Sequence, residues 1–160
     1  MKKTIIILLT AMLAIVISAC SGDKGSTVEV KQSAKEMADQ MLERVEQPAF
    51  MELSAQDLNE LYKIDTAKLA DFSVRVPMMN IKTNEIAIFK VNDAKDIPDI
   101  EEALKQRAET VQKQFEQYLP DQYENAKNYK VITKGNYVLF VISDRADELI
   151  KVFDSFFETK

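Results

Sequence analysis

The six residues Tyr137-Val138-Leu139-Phe140-Val141-Ile142 constrain the fold most. Side chains of an extended strand point alternately to its two faces, so a run that is apolar at every position has no face to offer water. Such a segment belongs at the centre of a sheet, covered on both sides or nearly so. Residues 130–133 lie just upstream, across Lys134-Gly135-Asn136, where glycine supplies the positive φ of a tight turn. The two segments therefore read as a hairpin.

A second hairpin precedes it. Phe72, Val74 and Val76 alternate with Ser73 and Arg75, the period of a half-exposed strand. Pro77 cannot donate to a ladder, so this strand ends there or lies at an edge. After the polar connection 80–84, residues 85–91 return with Ala87, Phe89 and Val91 on one face and Ile86 and Ile88 on the other.

Helices fill the remainder. Ser33-Ala34-Lys35-Glu36 is a capping box opening a helix with Met37, Met41, Leu42 and Val45 on one face, which stops before Pro48. Ser54-Ala55-Gln56-Asp57 repeats the pattern ahead of Leu58, Leu61 and Tyr62. The longest helix takes Asp96 as N-cap and Pro98 in its first turn, with Ile97, Ile100, Leu104, Ala108, Val111, Phe115 and Tyr118 as a buried stripe. Lys105, Arg107, Glu109, Lys113 and Glu116 form its solvated face. Asp93, Asp96 and Asp99 lack the glycine that a calcium-loop turn requires, so they read as capping groups, and no metal or cofactor is expected. Pro120 breaks the helix, and residues 121–128 add one or two turns. Asp144 and Asp147 start the last helix, whose stripe is Ala146, Leu149, Ile150, Phe153, Phe156 and Phe157.

This order predicts an α/β fold of the α+β kind in two layers. One mainly antiparallel sheet of four strands comes from two hairpins, each followed by a helix, with two additional N-terminal helices.

The N-terminus sets location. Lys2 and Lys3 precede an apolar run from Ile5 to Ile17, and polar Ser21, Gly22, Asp23 and Lys24 follow soon after. The run is shorter than the about 20 residues that span a bilayer, so residues 1–19 read as a secretory signal peptide. Ile17-Ser18-Ala19-Cys20 resembles the lipobox of bacterial lipoproteins, which implies cleavage between Ala19 and Cys20 and a diacylglyceryl group, with palmitate-type chains, on the Cys20 thiol. Two acyl chains suffice for stable anchoring without a membrane span. Residues 20–32 then read as a flexible tether holding two of the three glycines, with a reach on the order of 40 Å, and residues 33–160 as a single domain. Ser21 and Lys24 have the Ser-x-x-Lys spacing of some acyl-serine enzymes, but in a glycine-rich tether the match is fortuitous.

Composition narrows function. Without residues 1–19 the chain keeps 19 basic against 26 acidic side chains, a net charge of −7 that argues against binding nucleic acid. Histidine is absent and Cys20 is the only cysteine, which removes zinc-hydrolase, Ser-His-Asp and Cys-His chemistry at once.

Asn84-Glu85-Ile86-Ala87-Ile88-Phe89-Lys90-Val91, Tyr118-Leu119-Pro120-Asp121-Gln122-Tyr123 and Lys134-Gly135-Asn136-Tyr137-Val138-Leu139 together resemble an uncharacterised family of lipoproteins from low-GC Gram-positive bacteria, a domain of unknown function. The likeness extends over about residues 34–157. It implies an extracytoplasmic protein held by lipid in the outer leaflet of the cell membrane, and lends no catalytic residue.

The function expected is therefore a non-enzymatic binding or accessory module of the cell envelope, acting on an envelope protein, the cell wall or a small ligand. Its candidate contact residues are Met78, Met79, Asn80, Tyr118, Tyr123 and Tyr129. The alternatives are a carboxylate-based cell-wall hydrolase, needing two carboxyls about 5–9.5 Å apart with one pKa raised, and a carrier of a small apolar ligand between helix and sheet.

Overall fold

The computed structural model describes residues 30–158. The expected signal peptide 1–19, the expected cleavage between Ala19 and Cys20, the lipidation expected on Cys20 and the expected tether as far as residue 29 lie outside the described residues. The elements run α1 (Ala34–Arg44), β1 (Phe50–Glu52), α2 (Ala55–Tyr62), β2 (Leu69–Pro77), β3 (Glu85–Val91), α3 (Ile97–Phe115), α4 (Pro120–Lys127), β4 (Lys130–Lys134), β5 (Tyr137–Ile142) and α5 (Ala146–Ser155). Single 3-10 turns precede β2 and α3.

The sheet is antiparallel throughout, with five strands in the order β1-β2-β3-β5-β4. Both expected hairpins form, and β3 joins them by pairing Glu85 with Ile142 and Lys90 with Tyr137. Gly135 takes φ 58° in the second hairpin's turn. The fifth strand, β1, is three residues long, too short for alternation to betray it, and covers the outer edge of β2 by pairing Phe50 with Pro77 and Glu52 with Arg75. Pro77 thus ends an interior strand.

The expected two layers become three. Val138, Phe140 and Ile142 of β5 join Ala87, Phe89 and Val91 of β3 in one core under α2, α3 and α4. Tyr137, Leu139 and Val141 join Ile86 and Ile88 in a second core under α1 and α5. All six residues of β5 are buried, as their composition requires. Ser73 and Arg75, expected on an exposed face, are buried as well. Helix α1 packs over β2, and the Arg75 guanidinium meets Asp39 of α1 at 2.8 Å and Glu52 of β1 at 2.7 Å.

Both capping boxes form: the Ser33 amide donates to Glu36 at 2.8 Å and the Ser54 amide to Asp57 at 3.0 Å. Two other caps differ from expectation. A 3-10 turn precedes α3, so Asp93 accepts the Lys95 amide at 3.0 Å while Asp96 pairs with Lys68 at 3.4 Å. Ahead of α5 the Ser143 hydroxyl, not Asp144, accepts the Arg145 amide at 3.0 Å. Leu61 is exposed, because the buried face of α2 is set by Leu58 and Tyr62. Tyr118 is exposed because α3 ends at Phe115, which breaks the stripe before reaching it. Among the described residues no helix is long and apolar enough to cross a membrane.

Candidate functional site

One end of the sheet gathers the ends of β2 and β5 and the start of β3. Glu85 opens β3 and turns its carboxylate into the α3 side of the sheet. There the Tyr62 hydroxyl donates to Oε2 at 2.7 Å, Arg107 Nε donates to the same oxygen at 3.1 Å, and Arg107 Nη2 pairs with Oε1. The guanidinium lies 5.2 Å from the centre of the Tyr62 ring. The Arg107 and Glu85 side chains are 10% and 3% exposed, so this is a buried, bidentate pair with its carboxylate oxygens occupied.

Burial, then the Glu85 charge, pushes the Tyr62 phenol well above its ordinary pKa. Burial alone would lower the Arg107 pKa; attraction to Glu85 outweighs it and leaves the guanidinium raised. Arg107 was expected on a solvated face. Its position, three after Leu104 and four before Val111, is the signal that places it on the buried stripe.

Over this pair opens a cleft of about 270 Å³ lined by Pro77, Met79, Asn80, Lys82, Phe115 and Tyr118 among others. Met79 and Tyr118 are 53% and 63% exposed, and Met78 beside them 65%. With Ile81, these make four of the six large hydrophobic residues exposed among the described residues, and their gathering at one end marks a patch rather than scatter. The structure thus brings Met79, Asn80 and Tyr118 into one lining, with Met78 at its margin. Tyr123 and Tyr129 are half-buried against the α3-side core, the latter 5.9 Å from the Phe140 ring.

Lys82 is shared with a larger cleft, about 650 Å³, lined by Glu46, Gln47, Pro48, Asn84, Asp121, Gln122, Asn125, Asp144 and Arg145. Its walls are carboxamides that hold one another. Asn84 Nδ2 and the Ser143 hydroxyl donate to Gln47 Oε1 at 3.1 and 3.0 Å. The Thr83 amide donates to Gln122 Oε1 at 3.0 Å, and Asn125 Nδ2 to the Thr83 hydroxyl at 3.0 Å. The Gln122 amide holds the Asp121 carboxyl below its usual range. Sequence reading missed this cleft because Gln47 and Asn84 lie in connections and Gln122 and Asn125 on α4, far apart in the chain, and they meet only when the sheet closes. Among the described residues, no group of three side chains of metal-ligating type comes together.

The model of a domain of unknown function, DUF4358, matches residues 43–143. That is well over half of the 160-residue chain. The chain belongs to the DUF4358 family. The DUF4358 segment runs from the last turn of α1 to the residue after β5 and contains Tyr62, Glu85 and Arg107 together with all four carboxamides. No curated protein and no solved structure matches the chain.

Proposed function

We propose that this DUF4358 protein is a lipid-anchored lipoprotein of the bacterial cell envelope that works as a non-enzymatic binding module, with its contact surface at the sheet end carrying Met79 and Tyr118. The observation that supports the reading most is the exposure of Met79 and Tyr118 on one cleft, with Met78 and Ile81 also exposed in the loop that carries Met79. The rigid floor adds to it: the Glu85–Arg107 pair and the Tyr62 hydroxyl fix the cleft's base before anything binds. Anchoring rests on the Ile17-Ser18-Ala19-Cys20 sequence.

The test is chemical crosslinking on intact cells carrying the tagged protein or its Cys20→Ser variant. The proposal expects a diacylglyceryl mass on Cys20, loss of membrane association in the variant, and one predominant crosslinked neighbour that the variant loses. A protein that stays with the membrane after Cys20→Ser, or one crosslinked to no neighbour above background, would overturn it.

A further inference from the structure

The carboxamide cleft borders a third of about 390 Å³, with which it shares Asp121, Asn125 and Asp144, and which adds Glu124, Asp147 and Lys130. It borders the Met79 cleft at Lys82, so the sheet end carries a groove of adjoining clefts whose character changes from one to the next. It is apolar at Met79, Phe115 and Tyr118, rich in carboxamides at the centre, and acidic at the far end, where Asp121, Glu124, Asp144 and Asp147 outnumber Lys130.

The centre is built rather than incidental. Asn84 is only 5% exposed yet lines the groove, and its Nδ2 is spent on Gln47 while its Oδ1 accepts no bond among the described residues. Asn125 likewise commits Nδ2 to Thr83 and leaves Oδ1 without a donor among the described residues. Both oxygens are open to the cleft rather than sealed inside the protein, so they are placed to accept from a donor on a ligand.

We infer that this groove binds an extended peptide segment, with its main chain on the carboxamides of Asn84 and Asn125, an apolar side chain between Met79 and Tyr118, and a cationic group among Asp121, Asp144 and Asp147. A carboxamide has the same donor and acceptor as a peptide group, so a row of them matches an extended main chain in kind. The acidic end supplies charge complementarity for lysine, arginine or an amino terminus. A glycan fits less well, since the carboxamide centre has no aromatic face to stack a sugar ring and the chain has no tryptophan.

This inference rests on the sheet end being the binding surface. The test is selection of a random hexapeptide library on the full chain in detergent, followed by fluorescence anisotropy of the enriched peptides. Enrichment of an aromatic or aliphatic residue toward one end and lysine or arginine toward the other is expected. Asn125→Ala should weaken binding at least tenfold, Tyr118→Ser should erase the preference for the apolar residue, and Asp144→Asn with Asp147→Asn the preference for the cation. The last three positions lie in loops or at helix starts on the surface, so these variants keep the fold, and circular dichroism checks it. Enriched peptides without that polarity, binding indifferent to Asn125→Ala, or a preference for oligomers of N-acetylglucosamine over peptides would overturn the inference. If crosslinking still finds a neighbour while the peptides fail, the peptide reading falls alone; if both fail, the binding surface falls with it.

Discussion

Arg107 and Glu85 carry the most at the scale of single residues. Among the described residues, each is a buried charge compensated by the other and by the Tyr62 hydroxyl alone, so removing one partner strands the remaining charge. Arg107→Met should destabilise the protein by about 3–5 kcal/mol, and the pair with Glu85→Met should cost less than the two single changes added together. Urea unfolding of the four species measures this coupling; strict additivity would contradict the pair's role. Tyr62 gives a pH signature. Its folded pKa lies above the ordinary value of 10, so its contribution to stability is complete below pH 10 and is lost as pH rises above 10 through the folded value. The tyrosinate absorbance change that accompanies alkaline unfolding should therefore be smaller by one tyrosine of five in Tyr62→Phe, and that variant should lose about 1.5–3 kcal/mol at neutral pH with its bond to a charged acceptor. An unchanged amplitude at the unfolding step would show that Tyr62 does not ionise with it. The sequence concealed this cluster because charge at Arg107 outweighed spacing in the reading of α3, although its neighbours Leu104 and Val111 already defined the buried face.

Elements were more legible than the layers they build. Both hairpins and the two capping boxes follow from residues close in the chain, which is where alternation, turn glycine and hydroxyl-carboxylate pairs act. The short β1 and the covering of Ser73 and Arg75 depend on α1 folding back over β2, a contact between distant segments with no local signature. The unbroken apolar run of β5 already pointed to cover on both faces, since Leu139 and Val141 face α1 and α5 while Phe140 and Ile142 face α3. Leu139→Ala should therefore cost about 2–5 kcal/mol by leaving a cavity in the second core. Ser33→Ala, which removes the α1 cap, should cost about 1 kcal/mol. Denaturant midpoints rank the two; equal effects would mean that Leu139 does not bear on a packed layer.

The whole molecule has two ends of different use. The Ala34 amide donates to Asp71 at 2.6 Å, tying the start of α1 to the start of β2. Asp71 pairs with Lys90, Lys90 with Tyr137 and Tyr137 with Lys134, so the chain enters the domain at the end of the sheet that holds the second hairpin's turn. The groove lies at the other end, about 20 Å away along β2 at the usual rise of a strand. With the anchor proposed at Cys20, the chain would join the domain at the end opposite the groove, which leaves the groove free to face away from the membrane. The most direct test places a photo-crosslinking amino acid at Met79 or at Lys134 of the full chain in intact cells. The account predicts protein adducts from position 79 and few or none from position 134. Adducts concentrated at position 134, or equal at both, would contradict it.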